Sequence, residues 1–330
     1  MLTNKKPLVS VLMPAYNHEA YIHEAINSII HQTYKNIELI VLDDGSTDDT
    51  WKILNNLKQQ CDERFVNVVF ETKENEGICA TLNKLLDKAQ GDFVYLIASD
   101  DISKPNAIAK EVDFLVNNPD YCLVVGDNEI IDSKGQKCFW TKTRENTYDK
   151  SLMQYKTFGD FLKHSRQDVD FNTDDFGSYE SLVIGNYIPN GYLIRKSVLD
   201  LIPSIPQGDY LEDYYMMLQL SKYMKFKFLD EVLFSYRWHD SNTIKNVSKA
   251  RIMTSNTKNL ESVMLEKFKE NSEKSIFPLE KIMLSSKIGR NYKNKKLLFL
   301  TKAYYRNFKG QEIRKIKLKN FVLFTYKCKR

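Results

Sequence analysis

The chain has 330 residues, of which 42% are hydrophobic, with 18 Phe, 19 Tyr and a net charge of +5. That length and aromatic content exclude a disordered chain and allow one large domain, or one domain with an appendage. No apolar run approaches the ~18 residues that span a bilayer, Met1 to Pro7 lack the apolar core of a signal peptide, and five scattered cysteines without a CxxC pair argue against a disulfide frame or zinc site, so a reduced, cytoplasmic protein is expected.

In chain order, Leu8 to Met13 is a mostly apolar run suited to a central strand, ended by Pro14 and followed by the turn Ala15-Tyr16-Asn17-His18. Glu19 to His31 sets Ile22, Ala25, Ile26, Ile29 and Ile30 on one stripe, which predicts a helix. Ile37 to Leu42 reads as a second strand closed by Asp43-Asp44-Gly45-Ser46-Thr47-Asp48, with Ser46 or Thr47 as N-cap of a helix over Asp49 to Cys61. Val66 to Phe70 makes a third strand, followed by Asn75-Glu76-Gly77 and a helix through Leu82, Leu85 and Leu86. A fourth strand, Phe93 to Ile97, begins after Gly91 and stops at Ser99-Asp100-Asp101. This alternation predicts an α/β fold with a doubly wound, mostly parallel sheet.

Ligands bind such sheets beyond the carboxyl ends of the strands. There the strands end in Tyr16 and Asn17, Asp43 and Asp44, Asn75, and Asp100 and Asp101. Adjacent carboxylates repel unless a cation sits between them, and oxygen ligands suit Mg²⁺ or Mn²⁺. Asp100 and Asp101 equally fit a solvated turn capping a helix that starts near Pro105. No G-x-G-x-x-G follows the first strand and no G-x-x-x-x-G-K-[ST] occurs, which disfavours a dinucleotide dehydrogenase or P-loop NTPase. A nucleoside diphosphate held through a metal fits better.

Val9 to Asn17, Gln32-Thr33-Tyr34, Ile37 to Asp48 and Ser99-Asp100-Asp101 together resemble the family 2 glycosyltransferases, inverting enzymes of the GT-A fold that use nucleotide sugars. The resemblance spans about residues 7 to 245. It implies that Pro14, Ala15, Tyr16 and Asn17 line the nucleoside pocket, and that Asp44, with Asp43 beside it, accepts a hydrogen bond from the base, usually uracil. Asn75 and Gly77 match the family's Asn-x-Gly turn, which a plain turn also explains. Ser99, Asp100 and Asp101 match its short carboxylate motif, with Asp101 as direct metal ligand and Asp100 nearer the ribose. Ala98 stands where the commoner Asp-x-Asp-Asp form has its first Asp.

Val124 to Gly126 ends another strand. Residues 139 to 180 read as an insertion that shapes the acceptor side; Asp168, Asp170, Asp174 and Asp175 suit another metal cluster or, more commonly for such spacing in a loop, a solvated acidic surface. Asn186 to Arg195 resembles the strand that approaches the donor sugar, Asn190 and Gly191 making contacts there. Leu211 to Leu218 resembles the family's Glu-Asp motif, which implies Asp213 as the general base, with Glu212 positioning the acceptor or the base. Leu211, Tyr215 and Leu218 form a core-facing stripe, and both acids also suit a helix's first turn. Phe234 to Asn242 resembles the Tyr-Arg-x-His segment of the family, with His239 at the metal or diphosphate and Arg237 as a second phosphate contact.

The expected catalytic domain is 1–245, followed by a basic, mainly helical extension over 246–330. From Lys281 to Arg330 there are sixteen Lys or Arg and one acid, Glu312, so that segment carries +15 and the rest −10. Helices are predicted over Ser255 to Lys269 and Ser286 to Phe308, and Ile313 to Lys319 alternates as a strand does. This end suits packing, homo-oligomerisation or attachment to the cytoplasmic face of an anionic inner membrane. The resemblance implies a metal-dependent enzyme that moves a sugar from UDP or a related nucleotide to a glycan or lipid-linked acceptor. O-antigen, capsule or a lipid-linked oligosaccharide follow by analogy. A sugar-phosphate nucleotidyltransferase lacks support because no glycine-rich, Lys-containing loop follows the first strand. A non-catalytic nucleotide-sugar binding module is disfavoured by the presence of Asp101 and Asp213, and nucleic-acid binding by the lack of base-reading motifs.

Overall fold

The structure is a computed structural model that describes residues 6–273, 300–306, 312–318 and 321–327. Its amino-terminal half alternates strand and helix: β1 (Val9–Ala15), α1 (Ile22–Ile30), β2 (Ile37–Asp43), α2 (Thr50–Arg64), β3 (Asn67–Thr72), α3 (Ile78–Lys88) and β4 (Phe93–Leu96). The short β5 (Ile102–Ser103), α4 (Ala107–Asn117) and the long β6 (Tyr121–Ile131) follow. The region expected as an insertion holds β7 (Lys137–Trp140), β8 (Asn146–Thr147), α5 (Phe158–Ser165) and α6 (Tyr179–Leu182). Then come β9 (Tyr192–Arg195), α7 (Lys196–Leu199), α8 (Glu212–Leu220), β10 (Lys225–Arg237) and α9 (Val247–Glu273).

One sheet runs in the order β3-β2-β1-β4-β9-β6-β10-β5, with β7 and β8 joined to β6. β3, β2, β1 and β4 are mutually parallel, β9 runs antiparallel between β4 and β6, and β10 is parallel to β6. Strands β1, β2 and β4 are almost wholly buried, because helices cover both faces of a parallel sheet. One core lies between the sheet and α1, α2 and α4; the other gathers α3, α8 and the 162–205 region on the opposite face. Pro14 lies inside β1 and does not end it, pairing with Leu42.

The register sets the site. Ala15 lies opposite Asp43, and Asp43 opposite Thr72, so three strands end in line. Register is pinned at the other end by a buried polar cluster. Ser10 Oγ donates to Glu38 Oε1 at 2.5 Å, and the amides of Gln90 and Gly91 donate to Glu38 and Ser10 at 2.7 and 2.8 Å. Gly91 is required there because a Cβ would meet Ser10 N at 2.7 Å.

Further sequence expectations change, and the strand expected to end over Val124 to Gly126 continues to Ile131. The N-cap of α2 is Asp49, and Ser46 and Thr47 do not cap it, because Ser46 bonds Asp43 and Thr47 bonds Asn17. The whole of α8 from Tyr214 to Leu220 is buried, not one stripe, because α9 covers its other side with buried Met253, Thr257 and Glu261 and with Leu260 and Met264. The start of the 246–330 extension is therefore packed into the catalytic body. Residues 300–306 form a strand, β11 (Leu300–Arg306), where the end of a helix was expected; β11 pairs with β12 (Glu312–Leu318), which pairs with β13 (Phe321–Lys327). The rest of the helix expected from Ser286 lies outside the described residues.

One buried group stands apart. Glu111 on α4 is fully buried, no group meets hydrogen-bond geometry with either carboxylate oxygen among the described residues, and burial raises its pKa well above its ordinary 4.5 with only a partial offset from the Gly126 backbone. With the folded-state pKa above the unfolded one, stability is fully present below about pH 4.5 and declines as pH rises toward the folded value. Glu111→Gln should therefore gain on the unmodified chain between pH 5 and 8, by up to about 1.4 kcal/mol per pH unit in chemical denaturation. A difference that does not grow with pH would show that Glu111 is ionised in the folded chain.

Candidate active site

The loops after β1 and β2 are laced together. The Asp44 amide donates to Ala15 O at 2.8 Å, the Asn17 amide to Ser46 Oγ at 2.8 Å, and the Thr47 amide returns to Asn17 Oδ1 at 2.8 Å. Asn17 holds a left-handed φ of 51° to do this. Asp43 accepts from the Ser46 hydroxyl and from Thr72 Oγ1 at 2.8 Å. Asp44 accepts from the Lys73 ammonium and from the amides of Glu76 and Gly77, both at 2.9 Å. Both carboxylates therefore brace the rim. Tyr16 stands free at 46% exposure, Pro14 and Gly77 are half-buried, and Asn75 is exposed on the 73–77 loop.

Behind that rim sit Asp100 and Asp101, and they point to different neighbours. Asp101 is 1% exposed; its Oδ1 accepts the Arg237 amide at 2.8 Å and its Oδ2 faces Asn190 Nδ2 at 3.3 Å. Burial, then the charge of Asp100, raises its pKa well above the carboxylate range. Asp100 Oδ2 instead lies 3.0 Å from His239 Nε2 and 3.9 Å from His18 Nε2. Burial alone would raise its pKa, but the His239 hydrogen bond and the two imidazoles outweigh that and hold it low. His18 also bonds Ser99 Oγ through Nδ1 at 2.7 Å, and burial pushes its own pKa down.

His239, expected at the metal or diphosphate, bonds Asp100, while both oxygens of Asp101, expected as direct metal ligand, meet protein donors. Arg237, expected at a phosphate, turns inward. It is 1% exposed, its Nε donates to Asp100 O at 2.6 Å, its Nη1 lies 3.2 Å from Asp132 O and its Nη2 pairs with Glu24 at 2.5 Å. It clamps the carboxylate loop. Gln32, part of the quoted Gln-Thr-Tyr motif, does the same from α1's end, donating to Lys104 O at 2.7 Å.

Glu212 and Asp213 open α8. Asp213 Oδ2 accepts from Asn186 Nδ2 at 2.8 Å and Oδ1 from the Tyr214 amide at 2.6 Å. Burial raises the Asp213 pKa; burial and the charge of Asp213 push Glu212 up to about 8. The Leu211 amide, just before the helix, donates to Thr257 Oγ1 of α9 at 3.0 Å. One loop joins the two acidic pairs: Asn186 bonds Asp213 and Asn190 faces Asp101. Four residues of chain reach at most about 14 Å, which bounds the backbone span between the two bonded asparagines. The Tyr236 hydroxyl, raised by burial, lies within electrostatic reach of Asp101, Asp100 and Asp213. Gly191, expected to contact a sugar, is set by packing: at φ +73° its Cβ would meet the Phe234 ring at 2.1 Å.

Sequence reasoning left His18 and Asn186 without roles. His18 carried a signal, an imidazole in the first loop of an edge rich in carboxylates; Asn186 carried none. Asp168 pairs with Arg166 at 2.8 Å and Asp174 with Lys225 at 2.6 Å, as surface acids do. Among the described residues no three His, Cys, Asp or Glu side chains gather to hold a metal alone. Asp100 with His239 fits a cation that takes its remaining ligands from phosphate oxygens and water.

Residues 10–168 match the family described as Glycosyl transferase family 2. An uncharacterized glycosyltransferase of Haemophilus influenzae is 35% identical over 241 residues, 72% of this chain and 67% of that protein. Bacillus subtilis TuaG, named for teichuronic acid biosynthesis, is 35% identical over 157 residues, 46% of this chain and 59% of its own length. Another Haemophilus influenzae relative is 36% identical and likewise matched over 59% of its length. S. aureus TarS 1–349 in complex with UDP-GlcNAc shares the fold, with TM-score 0.50 and 20% identity over 72% of this chain and 60% of that one. A parallel sheet ending in these carboxylates, a Glu-Asp pair opening a buried helix and this extent of identity lead to one conclusion: the chain belongs to glycosyltransferase family 2.

Proposed function

We propose that the chain transfers a sugar from a nucleotide donor to an acceptor hydroxyl with inversion, Asp213 acting as general base. The observation that carries this is the Asn186–Gly191 loop, bonded at one end to Asp213 and at the other to Asp101, which sits directly after Asp100. That loop supports a reading in which a base side and a leaving-group side share one frame.

Burial and the charge of Asp213 favour the protonated form of Glu212. Asp213 accepts from two N–H donors, which favour its ionised form. The pair then offers one carboxylate to take the proton of an attacking hydroxyl, and Glu212 to donate a hydrogen bond. Asp100 and His239 are the residues that would hold Mn²⁺ or Mg²⁺. When bound, the cation neutralises charge on the departing nucleoside diphosphate. Tyr16, free at the rim, would cover the nucleoside, with Ala15 and Pro14 beneath it. UDP as donor nucleotide follows from the family resemblance, and TuaG's name supports a role in surface polysaccharide synthesis.

No helix among the described residues is long and apolar enough to cross a membrane. Attachment of the basic end to an anionic membrane face belongs to the same proposal, and co-sedimentation with liposomes of varied charge reports it.

The test is a panel of nucleotide sugars incubated with and without Mn²⁺. Release of a nucleoside diphosphate, increased by metal, is the expected result. Release of pyrophosphate would favour a nucleotidyltransferase, and no turnover of any donor, with binding retained, would favour a binding module.

A further inference from the structure

Beside the site, the turn that presents His239 to Asp100 turns its other side to a cavity of about 460 Å³ whose lining includes the cations Arg144 and Lys245, the acids Asp240 and Glu145 (the latter accepting from Thr143 Oγ1 at 3.2 Å), and Trp238. Arg144 is unusual in three ways. Its φ of +63° is rare for a residue with a side chain. Its guanidinium lies over three rings, 5.0 Å from Phe161, 5.2 Å from Trp238 and 5.9 Å from Trp140, while its carbonyl accepts the Trp238 indole N–H at 2.9 Å. Lastly, it is half-buried without a polar partner for its charge. Arg64 and Arg195 donate to backbone carbonyls, and Arg166 and Arg237 pair with carboxylates; among the described residues the Arg144 guanidinium does neither.

Lys245 brings a second cation, 4.9 Å from the Trp238 ring centre. Its carboxylate partner, Asp240 at 3.0 Å, is fully exposed, so water competes for that pair. Arg144 also lies within electrostatic reach of Tyr236, the residue that senses Asp100, Asp101 and Asp213. An aromatic bed that fixes a guanidinium plane and leaves its donors open is a preformed oxyanion fork.

We propose that this recess binds an oxyanion carried on a sugar, a phosphate or a carboxylate, with Arg144 as bidentate donor and Lys245 as second cation. It sets a charged acceptor beside the transfer site; only the word acceptor rests on the function proposed above. The cavity exceeds what a bare anion needs and leaves room for the sugar that carries it.

Two of the three tryptophans, Trp140 and Trp238, belong to this cluster, so intrinsic fluorescence reports occupancy. The full chain is titrated with glucose 1-phosphate, glucuronate and glucose in EDTA at constant ionic strength. A saturable change is expected with one or both anions and none with glucose; response to only one of them identifies the preferred group. Arg144→Met keeps an apolar stem over the rings and should weaken the anion Kd at least tenfold. If that variant melts early, Arg144→Lys keeps stem and charge but loses the fork, and should still weaken binding severalfold. An unchanged Kd in a folded variant, an equal response to glucose, or no response of the unmodified chain to either anion overturns the proposal. UDP affinity, followed in parallel with Mn²⁺, should be the same in both proteins. Its absence would count against the donor reading and leave the recess standing.

Discussion

Replacing Asp213 by Asn is expected to lower kcat by ~10²-fold or more while leaving donor KM and the thermal melt close to those of the unmodified chain. Asn keeps the shape and the bonds to Asn186 and the Tyr214 amide remain possible in part, but an amide cannot take a proton. The pH profile adds an independent check. A base must be ionised, and burial raises the Asp213 pKa, so the rate of the unmodified enzyme should fall as pH drops through a value above the ordinary carboxylate range. That acid limb should vanish from the residual activity of Asp213→Asn. Normal transfer by the variant would move the base elsewhere, with Glu212 the next candidate.

Replacing Asp100 by Ala is expected to remove metal-stimulated turnover by ~10²-fold or more, since loss of even an outer partner of a metal site costs 10–100-fold. The direct readout is Mn²⁺ binding in the presence of UDP, followed by electron paramagnetic resonance, which does not depend on turnover. Asp101→Ala should behave differently. Its carboxylate carries the Arg237 amide and faces Asn190, so its loss should lower the melting temperature and spoil the site indirectly. If instead Asp101→Ala folds normally and loses Mn²⁺ while Asp100→Ala retains it, the roles of the two are reversed. EDTA should suppress the unmodified enzyme in either case.

Much of this was legible in the chain because a parallel sheet covered on both faces writes itself as continuous apolar runs that stop at polar residues. Val9 to Met13, Ile37 to Leu42 and Phe93 to Leu96 are such runs, and their register alone aligns Ala15, Asp43 and Thr72 at one edge. Glu212 and Asp213 were equally readable, as acids opening a helix of core residues. What stayed hidden is direction. Arg237 reads as a cation for phosphate, yet it is 1% exposed and bonded to Asp100 O, Asp132 O and Glu24, partners 105 to 213 positions away in sequence.

The same holds for the adjacent acids. Identical in chemistry and one position apart, Asp100 and Asp101 differ only because the chain turns between them, sending one to His239 and His18 and the other to the Arg237 amide. The sequence by itself determined the α/β alternation, the edge where the parallel strands end and the acids placed there, since these follow from local pattern and strand burial. Only the tertiary structure decided which distant groups each carboxylate meets, that Gly191 yields to the Phe234 ring, and that α9 closes over α8 to hold Leu211 through Thr257. Those outcomes depend on which distant groups claim each donor and acceptor, and a pattern of neighbours along the chain carries no record of that.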